Sequence, residues 1–459
     1  MKPINSANSH WRKYQQRLQR TGARKSRCQT AVKYFLLFFL FIFFVYGIDR
    51  RLGDATGYSD HTHISSGTGR TGSLKHTDTL QPSKNELRTL LDTTRFTNLT
   101  EKSFDFIADG KKLRIETSLD ISLQRYLQEQ LNPATSRYIG IVVMDPASGK
   151  ILSMAGYDKD APDSNPCIDS KFPAASIFKI ITAAAAIEKL NIDPASELTY
   201  NGRKHTLYKS QLLEKTNKYT NRITLMDSFA QSVNPVFGKL GANSLGGTVL
   251  EEYAAAFGFN QPIEFEIPVV ASTAFFSDEP YEWAEIASGF NRKTTMSPLH
   301  GAVLTAAIIN QGIRMEPSIV DRITDETGKV IYRSYPQAVN QAISPQASEI
   351  LDSLMEATIT SGTAKKIFSG HHRDRVLSRL HMGGKTGSID NSDRDARFDW
   401  FVGYAQEKDG DQKIVVSVVV AHEKYIGIRS AEYARMAIKH YFKDYFTKNK
   451  TKTDSEHRS

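Results

Sequence analysis

The chain has 459 residues, of which 40% are hydrophobic, so it is long enough for more than one domain and for a substantial buried core. Its formal net charge is +9, but residues 1–48 hold nine Lys and Arg and no acidic residue, which leaves 50 basic and 50 acidic residues in the rest. A folded part that is basic overall is therefore excluded, and nothing in the composition favours a nucleic-acid partner. Two cysteines, Cys28 and Cys167, are too few for a disulfide framework.

The N-terminal region predicts a membrane anchor. A basic tail (1–30) precedes the apolar run Tyr34–Ile48, and with the flanking apolar residues the predicted span is 31–48. No small-x-small cleavage site follows, which favours a retained anchor over a cleaved signal peptide. The positive flank predicts a cytoplasmic N-terminus, with the remainder of the chain on the opposite side of the membrane. The Gly-, Ser- and Thr-rich segment 49–86 is typical of a flexible linker.

The following elements are predicted in chain order. A short lead-in segment (87–112) ends in a strand pair around Asp109-Gly110. The main domain (113–447) begins with a helix and a β-hairpin, continues through a helix-rich middle, and returns to three strands and a final helix. Strands at both ends of a domain with helices between them predict an α+β fold, in which one antiparallel sheet is built from both ends and flanked by helices. We expect a disordered tail over 448–459.

The stretch "FPAASIFKIITAAAAIEKL" contains Ser176 and Lys179 in an otherwise almost apolar segment. Its alanines favour a helix, and residues at i and i+3 share a face, so the two polar side chains point the same way. A lysine buried without an acidic partner tends to lose its proton. A neutral amine beside a hydroxyl is a base beside a weak nucleophile. Serine and lysine occur at this spacing often by chance, so the pair alone does not establish catalysis.

Two further motifs follow in order, namely Ser232-Val233-Asn234 and Lys385-Thr386-Gly387-Ser388. Together with Ser-x-x-Lys, they resemble the signature of penicillin-binding proteins and β-lactamases. The chain resembles the transpeptidase domain of penicillin-binding proteins from about residue 113 to 446. Flanking stretches also agree: "TSLDISLQ", "GIVVMDPASGKILSMAG", "TTMSPLHGAVLTAAIINQGIRMEPSIV", "ITSGTAKKIF" and "FDWFVGYA".

The resemblance implies a serine acyl-transfer reaction and a role for each residue of the three motifs. Ser176 would attack a D-alanyl-D-alanine peptide and Lys179 would take its proton, with Ser232, Asn234 and Lys385 completing the catalytic set. Thr386, Gly387 and Ser388 would bind the substrate, and the backbone N–H groups of Ser176 and Ser388 would form an oxyanion hole. No metal or cofactor is implied. The implied partners are peptidoglycan stem peptides, β-lactam antibiotics and a membrane-embedded glycan polymerase.

Two departures from the family pattern stand out. The family usually has Pro-Gly before the nucleophile, where this chain has Ala174-Ala175. Only residues 49–112 separate the predicted anchor from the domain, which is too short for a glycosyltransferase domain and predicts a class B-like protein.

Alternative functions stay open alongside D,D-transpeptidase: a D,D-carboxypeptidase or endopeptidase, and a β-lactam sensor or inactive scaffold. A class A β-lactamase is disfavoured because no Glu-x-x-Leu-Asn stretch is present.

Overall fold

The computed structural model describes residues 82–91, 96–108 and 110–456, with side chains described as far as residue 450. The predicted basic tail (1–30), anchor (31–48) and most of the linker (49–86) lie outside these residues, as does Cys28. Within the described part, no helix is both long enough and apolar enough to cross a membrane.

The strands of the described residues are, in chain order, β1 (Ser103–Ala108), β2 (Lys111–Thr117), β3 (Ser136–Met144), β4 (Ile151–Asp158), β5 (Phe172–Pro173), β6 (Glu197–Tyr200), β7 (Asn221–Thr224), β8 (Thr295–Met296), β9 (Ile313–Met315), β10 (Val320–Asp325), β11 (Val330–Arg333), β12 (Ala338–Gln341), β13 (Leu380–Asp390), β14 (Arg397–Glu407) and β15 (Lys413–His422). The helices are α1 (Lys84–Leu90), α2 (Ile121–Gln130), α3 (Lys179–Leu190), α4 (Leu225–Ala230), α5 (Asn234–Lys239), α6 (Gly246–Ala256), α7 (Pro280–Ala287), α8 (Pro298–Ile309), α9 (Pro345–Thr360) and α10 (Ser430–Glu456). A 3₁₀ turn (Ala175–Phe178) precedes α3, and a π-helical turn (Leu240–Leu245) joins α5 to α6.

The main sheet has the strand order β13-β14-β15-β3-β4, and every neighbouring pair is antiparallel. Its strands come from both ends of the domain, which confirms the predicted α+β arrangement. Side chains alternate between the two faces, so Ile141 packs with α2 and α10 while Val142 packs with α8 and the rest of the larger core. Because both faces of the sheet are buried, the inner strands β3 and β15 are rich in Val and Ile on both faces.

A second sheet has the order β1-β2-β10-β11, and its β1-β2 hairpin confirms the predicted strand pair. Three two-stranded pairs complete the topology: β5 with β8, β6 with β7, and β9 with β12. The β5-β8 pair fixes the chain immediately before Ser176, and the β6-β7 pair carries a long loop next to the second motif.

Helix α1 begins inside the segment that the sequence analysis gave to the flexible linker. Ser83 accepts from the backbone N–H of Glu86, and the Glu86 carboxylate accepts from the Ser83 N–H, which together form a capping box. Leu87 and Leu91 then bury their side chains in the main core. The Ser-x-x-Glu spacing was a readable signal for this helix start, and the linker prediction overlooked it.

Two other elements differ from the sequence analysis. Helix α10 continues to Glu456, past the expected start of a disordered tail at 448, because no Gly or Pro interrupts the chain after Ser430. The α-helix that was expected to include Ser176 begins only at Lys179. Ala175 has φ +49, a left-handed conformation that interrupts a regular helix, and Ser176 lies in the 3₁₀ turn that precedes α3.

Candidate active site

The position of Ser176 is set by contacts on its N-terminal side. Pro173 pairs with Thr295 across β5 and β8, and its carbonyl accepts from the Trp400 indole N–H at 2.8 Å. The chain then turns sharply at Ala175, whose positive φ costs a non-glycine residue about 1–2 kcal/mol. This strained turn presents Ser176 to a cavity at the edge of the main sheet.

Lys179 lies directly behind Ser176 and is fully buried. Its Nζ is 2.8 Å from Ser176 Oγ, 2.8 Å from Asn234 Oδ1 and 2.5 Å from the carbonyl oxygen of Ser288. Burial lowers the pKa of Lys179 well below its usual value, and the charge of Lys385 lowers it further.

The three contacts define the role of a neutral Lys179. A neutral amine has two hydrogens and one lone pair, and the Asn234 Oδ1 and Ser288 carbonyl oxygens can only accept. Both hydrogens are therefore used by these two acceptors, and the lone pair is left facing Ser176 Oγ. The amine is oriented to accept the serine proton, which is the geometry of a nucleophile and its base.

Lys385 on β13 is the second buried lysine, and it contacts the second motif. Its Nζ donates to Ser232 Oγ at 3.0 Å and to the Thr386 carbonyl at 3.0 Å. Burial lowers the pKa of Lys385 to about 7. Ser232 lies between α4 and α5 with φ +55, so a tight left-handed turn places its hydroxyl between Lys385 and the cavity.

The end of β13 forms one wall of the cavity. Thr386 Oγ1 is 2.5 Å from Thr363 Oγ1, and Arg397 Nε donates to Ser388 Oγ at 2.7 Å. Between them, a Cβ added at Gly387 would lie 3.3 Å from the Cβ of Ala175. The absent side chain lets this edge strand pass close to the segment that carries the nucleophile.

The cavity has a volume of about 500 Å³ and is lined by six of the eight predicted site residues: Ser176, Ser232, Asn234, Thr386, Gly387 and Ser388. The other two, Lys179 and Lys385, lie behind it and reach it through their hydrogen bonds to the two serines. The structure therefore brings all eight predicted residues together, although they are spread over more than two hundred positions of the sequence.

Four further groups at the site were missed by the sequence analysis: the Ser288 carbonyl, Thr363, Arg397 and His205. Thr363 lies in the stretch "ITSGTAKKIF", which was noted for its family resemblance without a role. The Ser288 contact uses a backbone oxygen, which any residue type supplies, so the sequence holds no signal for it.

Comparison with known proteins agrees with this geometry. The penicillin-binding protein transpeptidase domain matches residues 139–439. The chain is 27% identical over 322 residues to the peptidoglycan D,D-transpeptidase PbpA of Mycolicibacterium smegmatis, covering 61% of each protein. It is 25% identical over 352 residues to stage V sporulation protein D of Bacillus subtilis, covering 71% of this chain and 52% of that protein. The chain thus spans between about half and three fifths of the length of these relatives.

Two solved structures share the fold. The penicillin-binding protein PBPA of Mycobacterium tuberculosis superposes with a TM-score of 0.58 at 21% identity, over 71% of this chain and 81% of that one. The D,D-transpeptidase domain of a peptidoglycan glycosyltransferase from Eggerthella lenta superposes with a TM-score of 0.60 at 21% identity, over 80% and 91% of the two chains. Because the family match extends over more than half of its length, the chain belongs to the family of the penicillin-binding protein transpeptidase domain.

Proposed function

We propose that this protein is a peptidoglycan D,D-transpeptidase of the class B-like type. It acylates Ser176 with a stem peptide ending in D-alanyl-D-alanine and passes the acyl group to an amine of a neighbouring strand. The observation that carries the proposal is the fully buried Lys179, whose Nζ lies 2.8 Å from Ser176 Oγ and whose pKa is lowered by burial and by Lys385. The relative PbpA is named a peptidoglycan D,D-transpeptidase, and penicillin-binding protein A of M. tuberculosis has been solved as a penicillin G acyl-enzyme complex.

The acylation step uses residues that contact one another. Ser176 Oγ forms a bond to the carbonyl carbon of the penultimate D-alanine while its proton passes to Lys179 Nζ. The oxygen of that carbonyl becomes negative and is stabilised by the backbone N–H groups of Ser176 and Ser388. When the intermediate collapses, the C–N bond breaks and D-alanine leaves. Its amine takes the proton that Lys179 received, relayed through Ser232, and Lys385 contacts the Ser232 hydroxyl at 3.0 Å.

The substrate is held by the β13 wall. Lys385, Thr386 and Ser388 would bind the terminal carboxylate, and Arg397 fixes the orientation of the Ser388 hydroxyl. Asn234 holds Lys179 in place and binds the substrate amide. A β-lactam would acylate Ser176 by the same route, because its ring amide replaces the scissile peptide bond.

The deciding experiment supplies polymerised lipid-linked precursor and a partner glycan polymerase. Cross-linked dimers should form with release of free D-alanine, and the Ser176→Ala variant should give neither product. The alternative of a D,D-carboxypeptidase requires mostly trimmed tetrapeptide without dimers. A β-lactam sensor or inactive scaffold requires that no peptide product forms at all.

We also propose that residues 31–48 anchor the protein in the inner membrane, with the catalytic domain on the extracytoplasmic side. The apolar run Tyr34–Ile48 and the positive charge before it support this orientation. A reporter that is active only outside the cytoplasm, fused after Glu86, should be active. Activity of a cytoplasmic reporter at that position would reverse the orientation, and a mature protein starting near Asp49 would show a cleaved signal peptide instead.

A further inference from the structure

A strongly basic loop lies beside the catalytic cavity. Residues 201–220, which connect β6 to β7, are called the basic loop. This loop has five cationic residues and a single acidic one, Glu214, whereas residues 49–459 as a whole are neutral. The cationic residues are Arg203, Lys204, Lys209, Lys215 and Lys218.

The centre of the loop has a defined conformation that is held by uncharged contacts. Gln211 is buried at its centre, donating to the Asn201 carbonyl at 2.7 Å and accepting from the Tyr208 N–H at 3.0 Å. Leu207 is buried against α5, and its carbonyl accepts from the Tyr281 hydroxyl at 3.0 Å. Uncharged contacts therefore hold the centre of the loop.

Within the part of the chain that the structure describes, none of the five cations forms an ion pair with a carboxylate. The loop's own Glu214 is engaged by Lys239 at 3.2 Å and by Asn243 at 2.8 Å, both outside the loop. Lys204 donates to the neutral amide of Gln231, and Lys218 lies 5.0 Å from the centre of the Tyr219 ring. This positive charge is available to an external anion.

The basic loop also reaches the catalytic cavity. His205 lines the cavity, and the Lys204 carbonyl accepts from the Asn234 N–H at 2.7 Å. A ligand bound along the loop would enter the cavity on the Ser232 and Asn234 side. The β13 wall, which we assign to the donor carboxylate, forms the other side of the same cavity.

We propose that the basic loop binds the acceptor strand, a glycan whose stem peptides carry free carboxylates and the attacking amine. This inference rests on the proposed transpeptidase function, since only cross-linking requires a second strand. Carboxylates of the stem peptides match the unpaired cations, and the exposed side chains of Leu213 and Tyr219 offer apolar surface to the sugar rings. The loop thus holds the amine near the acyl group on Ser176.

The test measures binding of fluorescent, uncross-linked glycan strands that carry tetrapeptide stems. Lys209→Gln, Lys215→Gln and Lys218→Gln together should weaken binding about tenfold and flatten its salt dependence, because exposed charge contacts each contribute modestly. The matched control changes three exposed lysines in or next to the strands of the second sheet, Lys102, Lys111 and Lys329, to Gln. The affinity of this control variant for the glycan strands should stay within about twofold of that of the unaltered protein.

A second readout separates acceptor binding from chemistry. In the cross-linking assay, the triple variant should give fewer dimers and more hydrolysed tetrapeptide, because water then competes better for the acyl group. Strand binding is also measured with Ser176→Ala, which cannot be acylated. If fluorescent penicillin fails to label Ser176 in the unaltered protein, the proposed function fails, whereas loop binding is judged on strand affinity alone.

Several outcomes would overturn the acceptor-strand assignment. Equal affinity of the triple variant and the unaltered protein would show that the loop does not bind the strand. An equal loss of strand affinity in the control variant would show that any reduction of positive surface charge weakens binding. Glycan stripped of its peptides should bind weakly. Tight binding of this stripped glycan would assign the loop to a different partner. Tighter binding of polyphosphate or of anionic phospholipid vesicles than of the tetrapeptide-bearing strands would do the same.

Discussion

The two buried lysines divide the work of the site because their contacts differ. Lys179 contacts Ser176, Asn234 Oδ1 and the Ser288 carbonyl, whereas Lys385 donates to Ser232 and to its own strand. Each lysine is buried away from carboxylates, so each has a lowered pKa. A protonated Lys385 also keeps Lys179 neutral, since two like charges in a buried site repel each other.

Lys385→Met should shift the pH dependence of acylation. Removal of a nearby positive charge favours the protonated form of Lys179, so its pKa rises and the neutral base is present only at higher pH. The acidic limb of the rate profile should therefore move to higher pH, in addition to an overall loss of rate. The measurement is the second-order rate of penicillin acylation across the pH range, with each profile normalised to its own maximum. An unshifted limb would show that the charge of Lys385 does not act on Lys179.

The turn at Ala175 explains a departure that the sequence analysis noted without a reason. The family usually has glycine at this position, and the structure places Ala175 at φ +49, where glycine carries no penalty. Space for this turn comes from a neighbouring glycine. A Cβ at Gly289 would lie 1.8 Å from the Ala175 carbonyl oxygen and 2.8 Å from the Ser176 nitrogen. Gly289 therefore keeps the nucleophile and its N–H in position.

Gly289→Ala should lower the acylation rate about 100-fold, because the clash must displace Ser176 and its backbone N–H. The control is Gly328→Ala in the turn between β10 and β11. That glycine also has a positive φ (+84), but a Cβ there would meet nothing within 4 Å. Both variants should lose about 1–2 kcal/mol of stability from the strained backbone. If both acylate equally fast, the contact between Gly289 and the turn has no catalytic role.

The helices and strands whose sequences have a clear local pattern could be predicted from the sequence. The β3-β4 hairpin, the three C-terminal strands and the nucleophile segment follow from runs of Val and Ile, turn residues and alanine content. The Ser288 contact joins positions 109 residues apart, and the Thr363 and Arg397 contacts depend on how β13 packs against the segment after α9 and pairs with β14. No local pattern encodes such contacts. The 3₁₀ turn at Ser176 likewise depends on β8 and Trp400, which hold the preceding residues.

Helix α1 is attached to the domain by side chains at both of its ends. Lys84 forms an ion pair with Glu316 at 3.0 Å, and Arg88 donates to the Phe265 carbonyl at 2.8 Å. Between them, Leu87 is only 2% exposed. Helix α1, which overlaps the end of the predicted linker, is thus part of the folded unit, and Leu87 is its buried side chain.

Leu87→Ala should lower the free energy of unfolding by about 2–5 kcal/mol, since it leaves a cavity in the main core. Asn85→Ala, on the exposed side of the same helix, should change it by less than about 0.5 kcal/mol. Thermal unfolding measures both. Below the melting temperature, the rate of penicillin acylation should be the same in both variants, because α1 contacts none of the site residues. A melting temperature for Leu87→Ala equal to that of Asn85→Ala would show that α1 is not held by its buried face.

The strand order of the main sheet also has a consequence for how the protein is made. Strand β3 pairs with β15, so Ile141 meets Val418 only after nearly the whole domain has been synthesised. Until then, the β3-β4 hairpin exposes an apolar, unpaired edge, and Ser176 exists without Lys385. Strand pairs between such distant positions form slowly, and the unpaired edges leave nascent chains prone to aggregation. A ribosome-bound chain that stops short of β13 would therefore carry the nucleophile without its catalytic partners, and acyl transfer would begin only on the finished polypeptide.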